Sequence, residues 1–300
     1  MKNNNNTIRR TVSVVIPVYN ENEIILETIK ECLSCLKEID HEIIIVDDGS
    51  LDGTYDKVQK FANRYQNIKI VNYRDNHGKG FAVRYGARYA TGDLVAFIDA
   101  DMNIHPKQIL TLIEEMERTD ADVIVGSKRH RDSKVKYPLN RTILSEMYYL
   151  FVKTLFGLPV RDTQVGLKLY RRKVLEDICP ILLVKRYAFD IEILANAHRL
   201  GYKIGEAPVE INMSLDSHVN KKAVWNMFVD TCAIFYRMKI IHFYDKKLEI
   251  IENGKILNSK RKIIIEFEKE KDLEIVFPEV AELIKRLGND RKLEGVIKYG

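Results

Sequence analysis

Leu94-Val95-Ala96-Phe97-Ile98-Asp99-Ala100-Asp101 is the stretch whose reading decides the fold. Five apolar residues run straight into two carboxylates separated by one small residue. Gly92-Asp93 precedes the run and Pro106 follows it, so it reads as a buried strand ending in a polar loop. In an open α/β sheet, ligands gather beyond the carboxyl ends of the strands. Two acids placed there have a desolvation problem that a divalent cation solves. Oxygen ligands suit Mg²⁺ or Mn²⁺, and such sites share the metal with substrate phosphates. The pair points to a metal-assisted enzyme acting on a phosphorylated or nucleotide-linked substrate. Taken alone it also fits two acids that are simply solvated at a strand end.

Working outward, the pattern repeats. Val12–Val18, His41–Val46, Ile68–Asn72 and Val123–Gly126 read as strands. Asn22–Lys37, Tyr55–Tyr65, Lys79–Ala90 and Pro106–Glu117 read as the helices between them, the last with Pro near its first turn. This order predicts an α/β domain with a mostly parallel central sheet and helices on both faces. After Ser127 the character changes. Lys128-Arg-His-Arg-Asp-Ser-Lys-Val-Lys136 is a basic loop, and Arg141–Phe156 is a helix rich in Tyr and Phe. Asp162–Tyr170 turns strand-like, Tyr187–Leu200 reads as a helix and Lys203–Ile211 as a strand.

Lys221–Phe243 reads as a very apolar helix interrupted by Asn226, Asp230, Arg237 and Lys239. It suits a membrane interface or packing against the domain. Leu248–Lys255 reads as a hairpin with an Asn253-Gly254 turn. Ile263–Phe267 and Leu273–Phe277 read as strands, and Pro278–Leu287 as a helix. The expected division is a disordered 1–10, a catalytic domain over 11–220, an amphipathic helix over 221–245 and a small α+β accessory element over 246–300.

The 300 residues, 46% of them hydrophobic, suffice for one large domain with an appendage. A net charge of +5 permits attraction to phosphates or an anionic membrane surface and does not call for nucleic acid. The polar start lacks the apolar segment of a signal peptide, and no apolar run approaches the roughly 18 residues that span a bilayer. A cytoplasmic protein is expected, bound at most to the cytoplasmic face of the cell membrane. Cys32 and Cys35 fall within a helix with no second Cys or His pair at zinc spacing, so they read as ordinary reduced residues.

Four loops follow successive strands: Pro17-Val-Tyr19-Asn-Glu21, Asp47-Asp48-Gly-Ser-Leu-Asp52-Gly53-Thr54, Asn76-His-Gly78-Lys79-Gly80 and Asp99-Ala-Asp101-Met-Asn103. A parallel sheet puts all four on one edge. Asp48 can accept the imide N–H of a uracil, and Tyr19 can flank the base. Asp52 suits a structural role at the start of the next helix. Gly78-Lys79-Gly80 opens a helix where free N–H groups and a Lys favour an anion. G-x-x-x-x-G-K-[ST] and G-x-G-x-x-G are both absent, which disfavours a P-loop or a dinucleotide-binding dehydrogenase.

Val14–Glu21, Val46–Ser50, Asn76–Gly80 and Asp99-Ala-Asp101 resemble the family-2 inverting glycosyltransferases, with their A-type nucleotide-sugar-binding fold. Val125–Lys128, Arg161–Tyr170, Tyr187–Leu194, Gly201–Ile204 and Pro208-Val209 resemble the polyprenyl-phosphate branch of that family. Asp162-Thr-Gln-Val-Gly-Leu-Lys-Leu169 resembles dolichyl-phosphate glucosyltransferases and their archaeal N-acetylglucosaminyl relatives more than the mannosyl enzymes. The resemblance implies that Pro17, Tyr19, Glu21, Asp48 and Lys79 hold the nucleoside. Asp99 would contact the ribose or donor sugar, and Asp101 would bind Mg²⁺ or Mn²⁺ with the pyrophosphate. Asn103 stands where relatives carry a Gln ligand. Gln164 and Asp162 would lie near the donor or the lipid phosphate. Lys128, Arg129, Arg131 and Arg141 are the candidates for the acceptor phosphate.

The implied reaction moves N-acetylglucosamine or glucose from a UDP-sugar to dolichyl phosphate, supplying lipid-linked sugar for protein N-glycosylation or surface glycans. A phosphate monoester has its second pKa near about 6 and attacks without a general base. A hydroxyl acceptor needs one. Asp190 or Glu192 would then serve, and the enzyme would extend a lipid-linked oligosaccharide or surface glycan. A non-catalytic nucleotide-sugar-binding protein is the alternative of another class. Peripheral membrane contact is expected through 128–156 and 221–243.

Overall fold

The computed structural model describes residues 10–135, 139–186, 188–211 and 221–258, without the side chains at 139–144, 221–223, 250 and 252–258. Nearly all of the segment expected to be disordered, and the elements expected over 263–287, lie outside the described residues. The chain divides into two compact units, Met1–Cys232 and Ala233–Gly300.

In the first unit strands and helices alternate. They are β1 (Val12–Val18), α1 (Ile25–Cys35), β2 (His41–Asp47), α2 (Thr54–Ala62), β3 (Ile68–Asn72), α3 (Lys79–Ala87), β4 (Leu94–Phe97), α4 (Gln108–Thr119) and β5 (Val123–Ser127). Then come β6 (Lys134–Val135), α5 (Leu139–Phe156), β7 (Lys168–Arg171), α6 (Arg172–Ile178) with a 3-10 turn over Cys179–Ile181, α7 (Phe189–Arg199), β8 (Ile204–Pro208) and β9 (Glu210–Ile211). Helix α8 (Lys221–Phe235) runs across the boundary between the units.

Seven strands form one sheet in the order β3-β2-β1-β4-β7-β5-β8. Only β7 runs antiparallel, against β4 and β5. The central strands are apolar along their length because helices cover both faces. Val14, Val15, Ile16, Ile43, Ile44, Ile45, Val95 and Ala96 are all fully buried. Helix α1 packs Ile25, Ile29 and Cys32 into this core.

Pro17 stands near the carboxyl end of central strand β1. The β1 groups at Val12 and Val18 face β2, and the Val15 carbonyl faces β4, where it accepts from the Ile98 amide. By alternation the Pro17 nitrogen also faces β4, and with no N–H to donate it ends that ladder where the polar loops begin.

The chain leaves β1 toward β2 on one side and reaches β4 on the other. The crevice between the β1 and β4 ends is therefore a topological switch point, where α/β sheets bind ligands.

Three expectations change. The strand expected over Asp162–Tyr170 is confined to β7. Before it, the amides of Arg161 and Asp162 donate to Glu206 and that of Gln164 to Asp162, so side chains have taken the donors a ladder would need. The strand expected over Lys203–Ile211 splits at Val209, whose amide donates to Ser133 Oγ. Its ends go to different sheets.

The third change is in the second unit. The helix expected to reach Phe243 ends at Phe235 and passes into a π-helical turn over Tyr236–Ile240. After His242, at φ 51°, α9 runs over Phe243–Asn258. Leu248–Lys255 is thus helical and not a hairpin. Tyr244, Leu248 and Ile251 recur at i, i+4, i+7, and that period outweighs the Asn253-Gly254 dipeptide.

Candidate active site

The loops after β1, β2 and β4 and the start of α3 line a cleft of about 610 Å³. Of the expected nucleotide-sugar residues, Pro17, Tyr19, Glu21, Asp48, Lys79, Asp99 and Asp101 are all brought together there. Tyr19 is half-exposed, so its ring is open to a planar ligand.

Lys79 and Asp99 form the charged centre. Lys79 Nζ lies 2.6 Å from Asp99 Oδ1, and each side chain keeps about a third of its surface exposed (29% and 35%). Burial alone would lower the Lys79 pKa. The charges of Asp99 and Asp190, the hydrogen bond to Asp99 and the charge of Asp101 outweigh it and raise the pKa above the ordinary lysine value. On its other side Asp99 presses against Gly166. A Cβ at Gly166 would stand 2.0 Å from Asp99 Oδ2, so any other residue would displace the carboxylate. The Gln164–Lys168 segment therefore acts partly by leaving space for Asp99.

Acids crowd the rest of this edge. Glu21 has its pKa raised by burial first, then by the charges of Asp101, Asp52 and Asp99. Asp101 is exposed, and its carboxylate accepts from the Asn103 amide at 3.0 Å and from Asn103 Nδ2 at 2.5 Å. Asn103 thus braces Asp101 through its side-chain nitrogen. Its oxygen is the atom a cation would need, and Asn103 is absent from the cleft lining. Asp99 and Asp101 fit a hard divalent cation: both offer oxygen donors, beside Glu21, where like charges already repel. Two acids leave most of the coordination shell to water and diphosphate oxygens, as Mg²⁺ and Mn²⁺ sites commonly do.

Asp48 also orders the loop beside the cleft. Its carboxylate is buried and accepts the His77 amide at 2.8 Å, the Gly78 amide at 2.9 Å and Asn76 Nδ2 at 3.0 Å. These bonds fix the 76–78 loop and hold the Asp48 carboxylate at the cleft wall. Asp52 also works locally, accepting the Thr54 amide at 3.0 Å and the Asn22 amide at 3.1 Å.

Other expected residues stand elsewhere. Gln164 lines a separate small cavity with Arg129, Tyr149 and Asp162. Asp190 accepts Lys168 Nζ at 2.7 Å, and Lys168 is 1% exposed. This nearly buried pair engages the carboxylate proposed as a base. Glu192 is fully buried and accepts the amides of Leu183 and Val184, fixing the loop before α7.

The basic loop is already neutralised locally. Lys128 Nζ lies 3.6 Å from buried Asp162. Arg129 pairs with Glu146, donates to Ser145 at 2.9 Å and covers the Tyr149 ring at 4.9 Å. Arg131 is exposed beside Asp132 at 3.3 Å. None of these three lines the cleft. The Arg141 side chain lies outside the described residues.

Besides Lys79, a second cation lines the cleft, Arg186, which the sequence reading missed. Gly78 makes room for it. At φ +95° its missing Cβ would meet the Lys185 carbonyl at 2.7 Å, and the Phe81 amide donates to that carbonyl at 3.2 Å. Residues 185–186 therefore lie directly on the start of α3. Helix α8 contributes Asn226, Met227 and Asp230. Asn226 and Asp230 are the interruptions noted in its apolar pattern, and their i, i+4 spacing was the signal that they share a face. The opposite side of α8 is apolar and exposed at Trp225, Phe228 and Val229. Phe228 stacks on Phe151 of α5 at 4.0 Å, and Tyr148 shares a 2.8 Å hydrogen bond with Thr231. Met147 and Leu150 extend the exposed apolar surface onto α5.

Comparison with known proteins agrees with this arrangement. Residues 13–179 match the family model described as glycosyl transferase family 2. A dolichyl-phosphate beta-glucosyltransferase of Trichomonas vaginalis is 34% identical over 253 residues, covering 79% of this chain and 77% of that protein. One from Dictyostelium discoideum is 32% identical over 213 residues, covering 66% and 65%. Among solved structures, Mycobacterium tuberculosis glucosyl-3-phosphoglycerate synthase with Mn²⁺, UDP-glucose and phosphoglyceric acid has a TM-score of 0.58 at 22% identity, covering 76% of this chain and 79% of that one. That likeness is one of fold, the A-type glycosyltransferase fold. With its sheet, its Asp99-Ala-Asp101 step and its matched residues 13–179, the chain belongs to glycosyl transferase family 2 and is a glycosyltransferase.

Proposed function

We propose that this enzyme transfers glucose from UDP-glucose to dolichyl phosphate with inversion at the anomeric carbon. The observation that carries the reading is that two cations, Lys79 and Arg186, line the cleft, while Asp190, the carboxylate expected as a base for a hydroxyl acceptor, is held by buried Lys168. Such a site suits an acceptor that arrives already ionised. A phosphate monoester is largely dianionic near neutral pH. Its oxygen attacks the anomeric carbon, the bond to the diphosphate oxygen breaks on the opposite face, and UDP departs. No proton has to move. The names of the relatives support both the acceptor and glucose over N-acetylglucosamine.

Roles follow from position. Pro17, Tyr19 and Glu21 border the nucleoside, on a loop whose neighbour Asp48 orders. Asp99, set by Lys79 and Gly166, meets the donor's sugar portions. Asp101, braced by Asn103, would hold Mg²⁺ or Mn²⁺ together with the diphosphate, and the ion would neutralise charge on the leaving group. Arg186 takes the acceptor-phosphate role expected of Lys128, Arg129 and Arg131. The exposed apolar residues of α5 and α8 support peripheral contact with the cytoplasmic face of a membrane. Among the described residues no helix is long and apolar enough to cross one.

Labelled UDP-glucose and UDP-N-acetylglucosamine, each incubated with dolichyl phosphate and Mn²⁺, test the reading. A chloroform-soluble labelled product from UDP-glucose is expected. Transfer only to a saccharide hydroxyl, or none with either donor, would overturn it. Flotation with dolichyl phosphate-containing liposomes should recover the enzyme, and Trp225→Ser should reduce that recovery.

A further inference from the structure

Helix α1 and the loop after Asp101 bring together three side chains that the cleft does not use. Glu31 and Cys35 are one turn apart on α1 and share a face. His105 reaches them from the loop, with Nε2 3.3 Å from Glu31 Oε2. One oxygen of Glu31, the sulfur of Cys35 and a nitrogen of His105 all lie within 4.8 Å of one another. Among the described residues no other such trio converges this closely.

We propose that Glu31, Cys35 and His105 form a binding site for a thiophilic divalent cation of the zinc class, distinct from the oxygen site at Asp99 and Asp101. The mixed set of sulfur, nitrogen and oxygen donors is the reason. It suits Zn²⁺ and is poorly matched to Mg²⁺, which takes hard oxygen ligands. Zinc bonds of about 2.0–2.3 Å at tetrahedral angles put neighbouring ligand atoms about 3.3–3.8 Å apart, and the Glu31–His105 separation already falls there. Three protein ligands leave a fourth position for water. Glu31 and His105 side chains are 39% and 47% exposed, so an ion can enter from solvent.

The protons balance. His105 Nδ1 accepts the Lys107 amide at 3.2 Å, so the imidazole proton sits on Nε2, facing Glu31. The cation displaces it. Nδ1 takes up a proton as the imidazole changes tautomer, giving up its 3.2 Å bond from the Lys107 amide, and the Cys35 thiol proton passes to solvent. Cys32 takes no part, since it is fully buried and burial, with the nearby Cys35 and Glu31, pushes its thiol up to about 12.

The position gives the site a consequence. Thr28 of α1 already donates to the Ala100 carbonyl at 2.7 Å, between Asp99 and Asp101. A cation across Glu31, Cys35 and His105 would tie the same helix to the same loop a second time. Occupancy would therefore restrict the segment that presents Asp101.

The test uses the full chain stripped by a chelator, then titrated with Zn²⁺ against a chromogenic competitor. One tightly bound equivalent is expected, with affinity reduced about tenfold or more in Cys35→Ser and in His105→Ala. Millimolar Mg²⁺ should not displace it. Loading the unmodified chain with Co²⁺ should give thiolate-to-cobalt charge-transfer absorption, a readout that needs no variant to fold. Zinc held equally well by both variants, or a cobalt complex without the thiolate band, would overturn the proposal.

Discussion

The two ends of the sheet treat their acids in opposite ways. At the amino end, Glu42 is supplied with donors from Thr91, Ser13 and Lys69. Burial would raise its pKa, yet these bonds hold it down to about 2. Asp93, bonded by Thr11, is likewise lowered. At the carboxyl end, Glu21 and Asp47 are raised, chiefly by burial with neighbouring acids adding to it. One end has been matched for stability. The other keeps a surplus of negative charge beside the nucleotide-sugar residues, a state that a cation and a cationic clamp would relieve. Unrelieved charge is thus a physical marker of the working edge.

The largest effect should come from the Lys168–Asp190 pair, a nearly buried ion pair on the working side. Asp190→Ala strands a buried lysine and should destabilise the fold by about 3–5 kcal/mol in urea unfolding. A loss of turnover with unchanged stability would instead make Asp190 a base. Next, Asp101→Asn, which removes a charge that repels Glu21, should lower kcat by about 10²–10³ while leaving the unfolding midpoint in place or raising it. A drop in stability there would erase the distinction between the two ends.

At the amino end, Glu42→Gln should leave turnover unchanged and cost about 1–3 kcal/mol of stability near neutral pH. Since the folded pKa lies below the unfolded value, this contribution is full above the unfolded pKa of about 4.5 and fades as the pH falls toward 2. Unfolding curves of the two proteins should therefore converge in acid. Parallel curves down to pH 2 would mean that Glu42 is not held as described. The smallest effect is Arg186→Ala, expected to raise KM for dolichyl phosphate about tenfold, about 1.4 kcal/mol, with KM for the donor little changed. The reverse pattern would move Arg186 to the donor.

The working edge was legible because strand polarity alone gathers Pro17, Glu21, Lys79, Asp99 and Asp101. What each residue does there was less so. That Asp48 also holds the 76–78 loop was not legible, because spacing does not show which acceptor a loop will use. Arg186 was invisible because it reaches the cleft from beyond a 3-10 turn, through the opening left by Gly78. Asn226 and Asp230 were seen, but as flaws in an apolar helix rather than as a polar face. The partners of the basic loop were not legible either, because charge in sequence does not show that Lys128 lies beside Asp162 and Arg129 beside Glu146. Leu248–Lys255 failed through a short pattern that two periods share.

Direct displacement of UDP by an acceptor phosphate separates this reaction from glycosylation of a hydroxyl. The anomeric configuration of the first product formed from α-linked UDP-glucose, read by NMR of the glucosyl phosphate linkage, tests it most directly. A β-linked dolichyl phosphate glucose is the expected result. An α-linked product, or glucose joined through a hydroxyl, would contradict the account.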